Sequence, residues 1–101
     1  VGIDETSHPA IPETFALYQN FPNPFNPQTT ILFDLPESAK VKVQIFDLLG
    51  RRVATLANRQ FIAGRYELQW QPEAQISSGV YFYRIDAGEK FVQTRRMIFI
   101  R

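Results

Sequence analysis

The sequence predicts an all-β domain of about seven short antiparallel strands packed as a sandwich. Three observations predict it. Apolar and polar residues alternate with period two in several runs, as half-buried strands require. Turn signals break the chain about every 8–14 residues, which suits a sandwich. No stretch keeps a 3.6-residue apolar period over three turns, so no amphipathic helix is expected.

Residues 1–14 carry Pro9, Pro12 and three acids (Asp4, Glu5, Glu13), with no Lys or Arg. Such a composition cannot bury enough apolar surface to order itself. A flexible acidic linker or leader is expected over 1–14, and a folded domain over 15–101. From Phe15 to Pro27 the chain holds Pro22, Pro24 and Pro27, each without a backbone donor. Each proline also pushes its preceding residue toward extended geometry. Helix and central strand are therefore excluded. Leu17, Tyr18, Phe21 and Phe25 are too apolar for a free linker, so an ordered, extended opening segment is expected, anchored by aromatics.

Thr30–Leu35 places Ile31, Phe33 and Leu35 on one face, and Pro36 ends the run. Lys40–Ile45 alternates strictly, with Val41, Val43 and Ile45 inward and Lys40, Lys42 and Gln44 outward. Asp47-Leu48-Leu49-Gly50 turns the chain, with Gly50 free to take positive φ. Arg51–Leu56 reads as a shorter, weaker strand. From Gly64, the residues Tyr66, Leu68 and Trp70 face in. Ser78-Gly79 is a turn. Val80–Ile85 is apolar on both faces and is expected to be central. Ala87–Lys90 is a hairpin turn, and Phe91–Arg101 closes the chain. This series points to an immunoglobulin-like β-sandwich, with a barrel as the alternative.

At 101 residues the chain is one domain. Eleven Lys+Arg against ten Asp+Glu give +1, unlike the strongly basic face of a general nucleic-acid binder. No apolar run reaches 18 residues, so no membrane-spanning helix is expected. No basic-then-apolar start marks a signal peptide, though a piece of an exported parent would look the same. The absence of cysteine excludes disulfides, Cys-based zinc sites and a thiol nucleophile. His8 is the single histidine and lies in the polar start, which leaves no partner for a triad or a His-rich metal site. There is no Gly-rich phosphate loop and no Gly-x-Ser-x-Gly. The composition points away from an enzyme, and no cofactor is expected.

Three groups of side chains remain. Asp34, Asp47, Asp86 and Glu67 lie on different strands or turns and read as surface acids and turn caps, with Asp47 placed to pair with Arg51 or Arg52. A calcium site using Asp47 or Asp86 has no supporting motif. Residues 82–101 hold five basic residues (Arg84, Lys90, Arg95, Arg96, Arg101) against Asp86 and Glu89. They read as a solvated edge that resists edge-to-edge pairing, or as a docking strip for an acidic partner. Trp70, Tyr66, Tyr81, Phe82 and Tyr83 have the makings of a sugar-stacking platform, but the parity of Tyr66 and Trp70 favours core packing. Phe61 and Phe91, nearer turns, are the expected exposed aromatics.

The run Leu17-Tyr18-Gln19-Asn20-Phe21-Pro22-Asn23-Pro24-Phe25-Asn26-Pro27-Gln28-Thr29-Thr30 resembles the opening of the C-terminal sorting domain (type A) of the type IX secretion system. Later blocks follow in the family's order: Phe33–Pro36, Val41–Arg51, Gly64, Trp70, Ser78–Ile85 and Thr94–Arg101. The resemblance covers about residues 15–101. It departs from many relatives in the short Gln71–Ser77 connection and in ending on Arg101 rather than Lys. The family also shades into immunoglobulin-like modules related to the flagellar hook-capping protein.

The resemblance implies a non-catalytic export address on a larger cargo protein. The parent crosses the inner membrane, transits the periplasm and is passed by the outer-membrane translocon to the cell surface or medium. A sortase-like protease commonly removes the domain, and the cut is expected within or near 1–14. With the motif and a reason for exposure, Gly50, Arg51, Lys90, Arg95, Arg96 and Arg101 are the candidate docking residues; the last strand is either paired within the sandwich or left free, and a free edge would be open to reading by β-augmentation. Asn23 and its flanking prolines are expected to fix the fold. A carbohydrate- or surface-binding module is the alternative function, and a structural spacer of the hook-capping type the third.

Overall fold

The computed structural model describes residues 10–101; most of the linker expected over 1–14 lies outside the described residues. Seven strands follow in order: β1 (Ala16–Leu17), β2 (Thr29–Leu35), β3 (Ala39–Phe46), β4 (Arg52–Phe61), β5 (Gly64–Trp70), β6 (Gly79–Ala87) and β7 (Phe91–Phe99). They form two antiparallel sheets, ordered β1-β2-β5 and β4-β3-β6-β7. The all-β sandwich read from the sequence is the fold. In the constant-type immunoglobulin domain the fourth strand pairs with the fifth; here β4 pairs with β3.

The period-two runs explain the layers. Ile31, Phe33 and Leu35 from one sheet meet Val41, Val43, Ile45, Tyr83, Ile85 and Met97 from the other, all fully buried. Full burial of each aliphatic or aromatic side chain contributes about 1.5–3 kcal/mol. β6 is central, between β3 and β7. Tyr83 sits in the core, its hydroxyl donating to the Tyr18 carbonyl at 2.6 Å. Burial pushes its pKa up to about 12. Among the described residues, every buried side-chain polar atom has a partner.

Five expectations change. β4 is longer than Arg51–Leu56: it runs to Phe61, and Arg51 belongs to the preceding turn. Phe61 is buried at 3 % exposure, because that longer strand carries it into edge-on contact with Phe33 and Tyr66 at 5.5 and 4.8 Å. Phe91 is half-buried, stacked on Phe15 at 5.4 Å. Asp34 is not a surface acid but buried at 4 % exposure. Its carboxylate accepts from Arg65 Nε (2.7 Å) and Nη2 (3.0 Å) and from the Tyr18 hydroxyl (2.5 Å). Tyr66 and Leu68 face in as expected but are only half-buried, since β4 has joined the other sheet and leaves β5 at an edge.

The opening segment lies extended against both sheets. All three of its X-Pro bonds are cis. Asn20, at 2 % exposure, donates to Thr29 Oγ1 (2.9 Å) and the Pro22 carbonyl (3.1 Å). Phe25 is buried against Phe99 and Trp70, with ring centroids 5.1 and 5.9 Å away.

Candidate functional site

The six sequence-predicted residues do not form one cluster. Gly50, Arg51 and Arg101 occupy one end of the sandwich. Lys90 sits on the β6–β7 hairpin at the other end. Residues Gly79 and Ala87 mark the two ends of β6, roughly 26 Å apart at strand rise. Arg95 and Arg96 lie between them on β7.

The Gly50-Arg51 turn is built around Asp47. Asp47 Oδ1 accepts from the backbone N–H of Leu49 (3.0 Å) and Arg51 (2.9 Å). Its Oδ2 accepts from Arg51 Nε at 2.8 Å. The backbone closes the same loop, Asp47 N–H to the Arg51 carbonyl (2.8 Å) and Gly50 N–H to the Asp47 carbonyl (2.9 Å). The Arg51 N–H holds the Asp47 carboxyl below its ordinary pKa, against the opposing effect of desolvation, with the Arg51 guanidinium and the Leu49 N–H adding to it. Gly50 takes φ 83°, a conformation open to glycine at little cost. The expected Asp47–Arg51 pair is present. The turn lifts Leu48 and Leu49 into solvent, at 68 % and 78 % exposure. The sequence reading passed over these two leucines. Two adjacent apolar residues at the tip of an Asp-x-x-Gly turn were the signal.

Neighbours on β7 part company because side chains alternate along a strand. Arg95 turns toward the opening segment, its Nε donating to the Leu17 carbonyl at 2.6 Å. Arg96 points to the other face, and its side chain has no hydrogen bond or ion pair among the described residues. Arg101 fastens the 71–78 connection. Its Nη2 donates to the Glu73 (2.8 Å) and Ile76 (2.6 Å) carbonyls, and its backbone N–H to Ser78 Oγ (2.7 Å). Lys90 pairs with Glu37.

The last strand is not open along its full edge. Phe25 N–H donates to the Ile98 carbonyl (3.0 Å), and Ile100 N–H to the Phe25 carbonyl (3.1 Å). Asn23 Oδ1 accepts from Ile98 N–H at 2.9 Å, and Gln19 Nε2 donates to the Arg96 carbonyl at 2.7 Å. The opening segment thus occupies the place a β-augmenting peptide would take along the second half of β7. Val92 and Thr94, of the same edge parity, lie beyond its hydrogen bonds.

The sugar-stacking platform is not assembled: Trp70, Tyr81 and Tyr83 are in the core. Among the described residues, no three His, Cys, Asp or Glu side chains converge as metal ligands would. What the surface offers is a rigid turn, exposed cations and exposed apolar groups, which suit recognition by another macromolecule.

A family model described as a secretion system C-terminal sorting domain matches residues 19–100. No curated protein and no solved structure shows significant similarity to the chain.

Proposed function

The chain belongs to the family of secretion system C-terminal sorting domains, and we propose that it is the address by which the type IX outer-membrane translocon exports a larger protein. The family match over residues 19–100 carries this reading. The domain itself is non-catalytic. It binds the translocon while its cargo, N-terminal to it, is carried through the periplasm to the cell surface or medium. A sortase-like protease then cuts within or near residues 1–14, and the cargo is attached at the surface. Gly50, Arg51, Lys90 and Arg96 present groups to the translocon. Arg95 and Arg101 contribute by holding the opening segment and the 71–78 connection in place.

A fluorescent reporter with a signal peptide, fused to residues 1–101 and expressed in a type IX-competent host, tests this. The fusion is expected at the surface or in the medium, and the same reporter without the domain in the periplasm. Equal retention of both would refute the reading. Glycan binding by the purified domain would then favour a surface-binding module.

A further inference from the structure

The outer face of the four-stranded sheet carries an apolar strip that the core does not use. Cross-strand partners share a face, so the register places side chains in rows: Phe46 opposite Phe82, Phe82 opposite Arg96, and Val80 opposite Ile98. Phe46, Val80 and Phe82 are half-buried there and Ile98 is 37 % exposed. At the end of the strip, Leu48 and Leu49 line a depression together with Val80. A second depression, of about 490 Å³, runs from Phe82 and Ile98 to Asn23 and Gln19.

The charge around the strip is one-sided. Outward positions of the four strands carry Lys40, Lys42, Arg52, Arg84 and Arg96. The acid among them is Asp86, which Arg84 already engages at 3.1 Å. An apolar centre within a polar rim is the anatomy of a protein interface. A second copy fits poorly: two-fold pairing sets each patch against itself, and Arg52 and Arg96 would meet like charge.

We infer that this face is the docking surface for a partner protein that presents an apolar ridge flanked by carboxylates. Leu48 and Leu49 are its anchors. The turn around Asp47 already holds their backbone, so little conformational entropy remains to be lost on binding. Arg52 and Arg96 set orientation and speed encounter. The inference rests on the export reading above, and names the face the export machinery contacts.

Three variants of the same reporter fusion test it, each checked for folding by thermal melting. Leu48→Ser/Leu49→Ser and Arg52→Glu/Arg96→Glu alter exposed positions of the face. Glu67→Lys/Gln69→Lys alters exposed positions of the opposite sheet. The expected result is export at least tenfold below the parent for the first two, with melting temperatures near the parent's, and parental export for the third. Export of both face variants within twofold of the parent overturns the inference while leaving the export reading standing. A parent fusion that is itself retained overturns both. Light scattering of the purified domain is expected to give a monomer. A dimer that both face variants dissociate would assign the face to a second copy and overturn the inference.

Discussion

Arg95 donates from Nε to the Leu17 carbonyl at 2.6 Å, across 78 positions of sequence. Its neighbour Arg96 shares the same charge and the same strand yet has no side-chain partner among the described residues. Arg95→Ala should therefore lower stability by about 1–2 kcal/mol, the cost of leaving a buried carbonyl without its charged donor. For a domain of this size that is roughly 4–16 °C in Tm. Arg96→Ala should stay within about 0.5 kcal/mol, as surface changes do. Calorimetry of the two variants side by side checks this, and equal melting would contradict it.

Acid should loosen the domain through Asp34 and Asp47. Both carboxyls are held below their ordinary pKa, Asp34 first by the Arg65 hydrogen bonds and Asp47 first by the Arg51 N–H. A depressed folded pKa contributes stability that is fully present above the unfolded value, about 3.9, and lost as pH falls through the folded value. Tm should hold from neutrality to about pH 5 and then fall with further acid. Asp34→Asn should start lower and show a shallower fall. A Tm-against-pH slope unchanged in that variant would remove Asp34 from the account.

The β6–β7 hairpin holds an improvable position. Gly88 and Glu89 take φ 58° and 62°, the pattern of a type I′ turn, which prefers Asn-Gly. Glutamate in the left-handed region costs about 1–2 kcal/mol. Glu89→Gly should recover up to about 1 kcal/mol, a rise of roughly 4–8 °C in Tm. Gly88→Ala should destabilise, because its new Cβ would lie 3.3 Å from Ala39 Cβ and its φ disfavours any side chain.

Two phenylalanines near turns should behave oppositely. Phe61 is 3 % exposed and Phe21 is 78 % exposed. Phe61→Ala is expected to cost about 3–5 kcal/mol and Phe21→Ala less than about 1 kcal/mol. Urea denaturation of both variants measures the contrast.

The residues that declared themselves in sequence were those whose structure is local. Val41, Val43 and Ile45 alternate with Lys40, Lys42 and Gln44, and all three apolar residues are fully buried. Asp47 and Gly50 announced their turn, which four residues suffice to build. Phe61 was misread because proximity to a turn says nothing of which sheet a strand joins. Asp34 looked like an ordinary acid because Arg65, its partner, lies 31 positions away. The two-sided apolarity of β6 was legible, but not that its Val80–Phe82 face would stay uncovered, since no local pattern states which sheet face lacks a neighbour. The docking residues named from the family's motifs are dispersed for two other reasons. Alternation sends Arg95 and Arg96 to opposite faces, and the length of β6 separates Lys90 from Arg51.

The bonds between the opening segment and β7 also set how the chain must reach its fold. Gln19 to Arg96, Asn23 to Ile98 and Leu17 to Arg95 span 75 to 78 positions. Such contacts form only after the whole intervening chain has been brought to heel, at a loop-closure cost that local structure cannot offset in advance. The β3–β4 and β6–β7 hairpins can assemble early, and residues 16–21 can pair locally with β2, but the bonds from residues 17–25 to the last strand wait for β7 to exist. Folding should therefore be slow for a domain of this size, in the millisecond-to-second range of sandwiches. A peptide of residues 10–28 added to a domain that lacks it would restore the native state in trans, since what it completes is an edge and a lid already shaped to receive it.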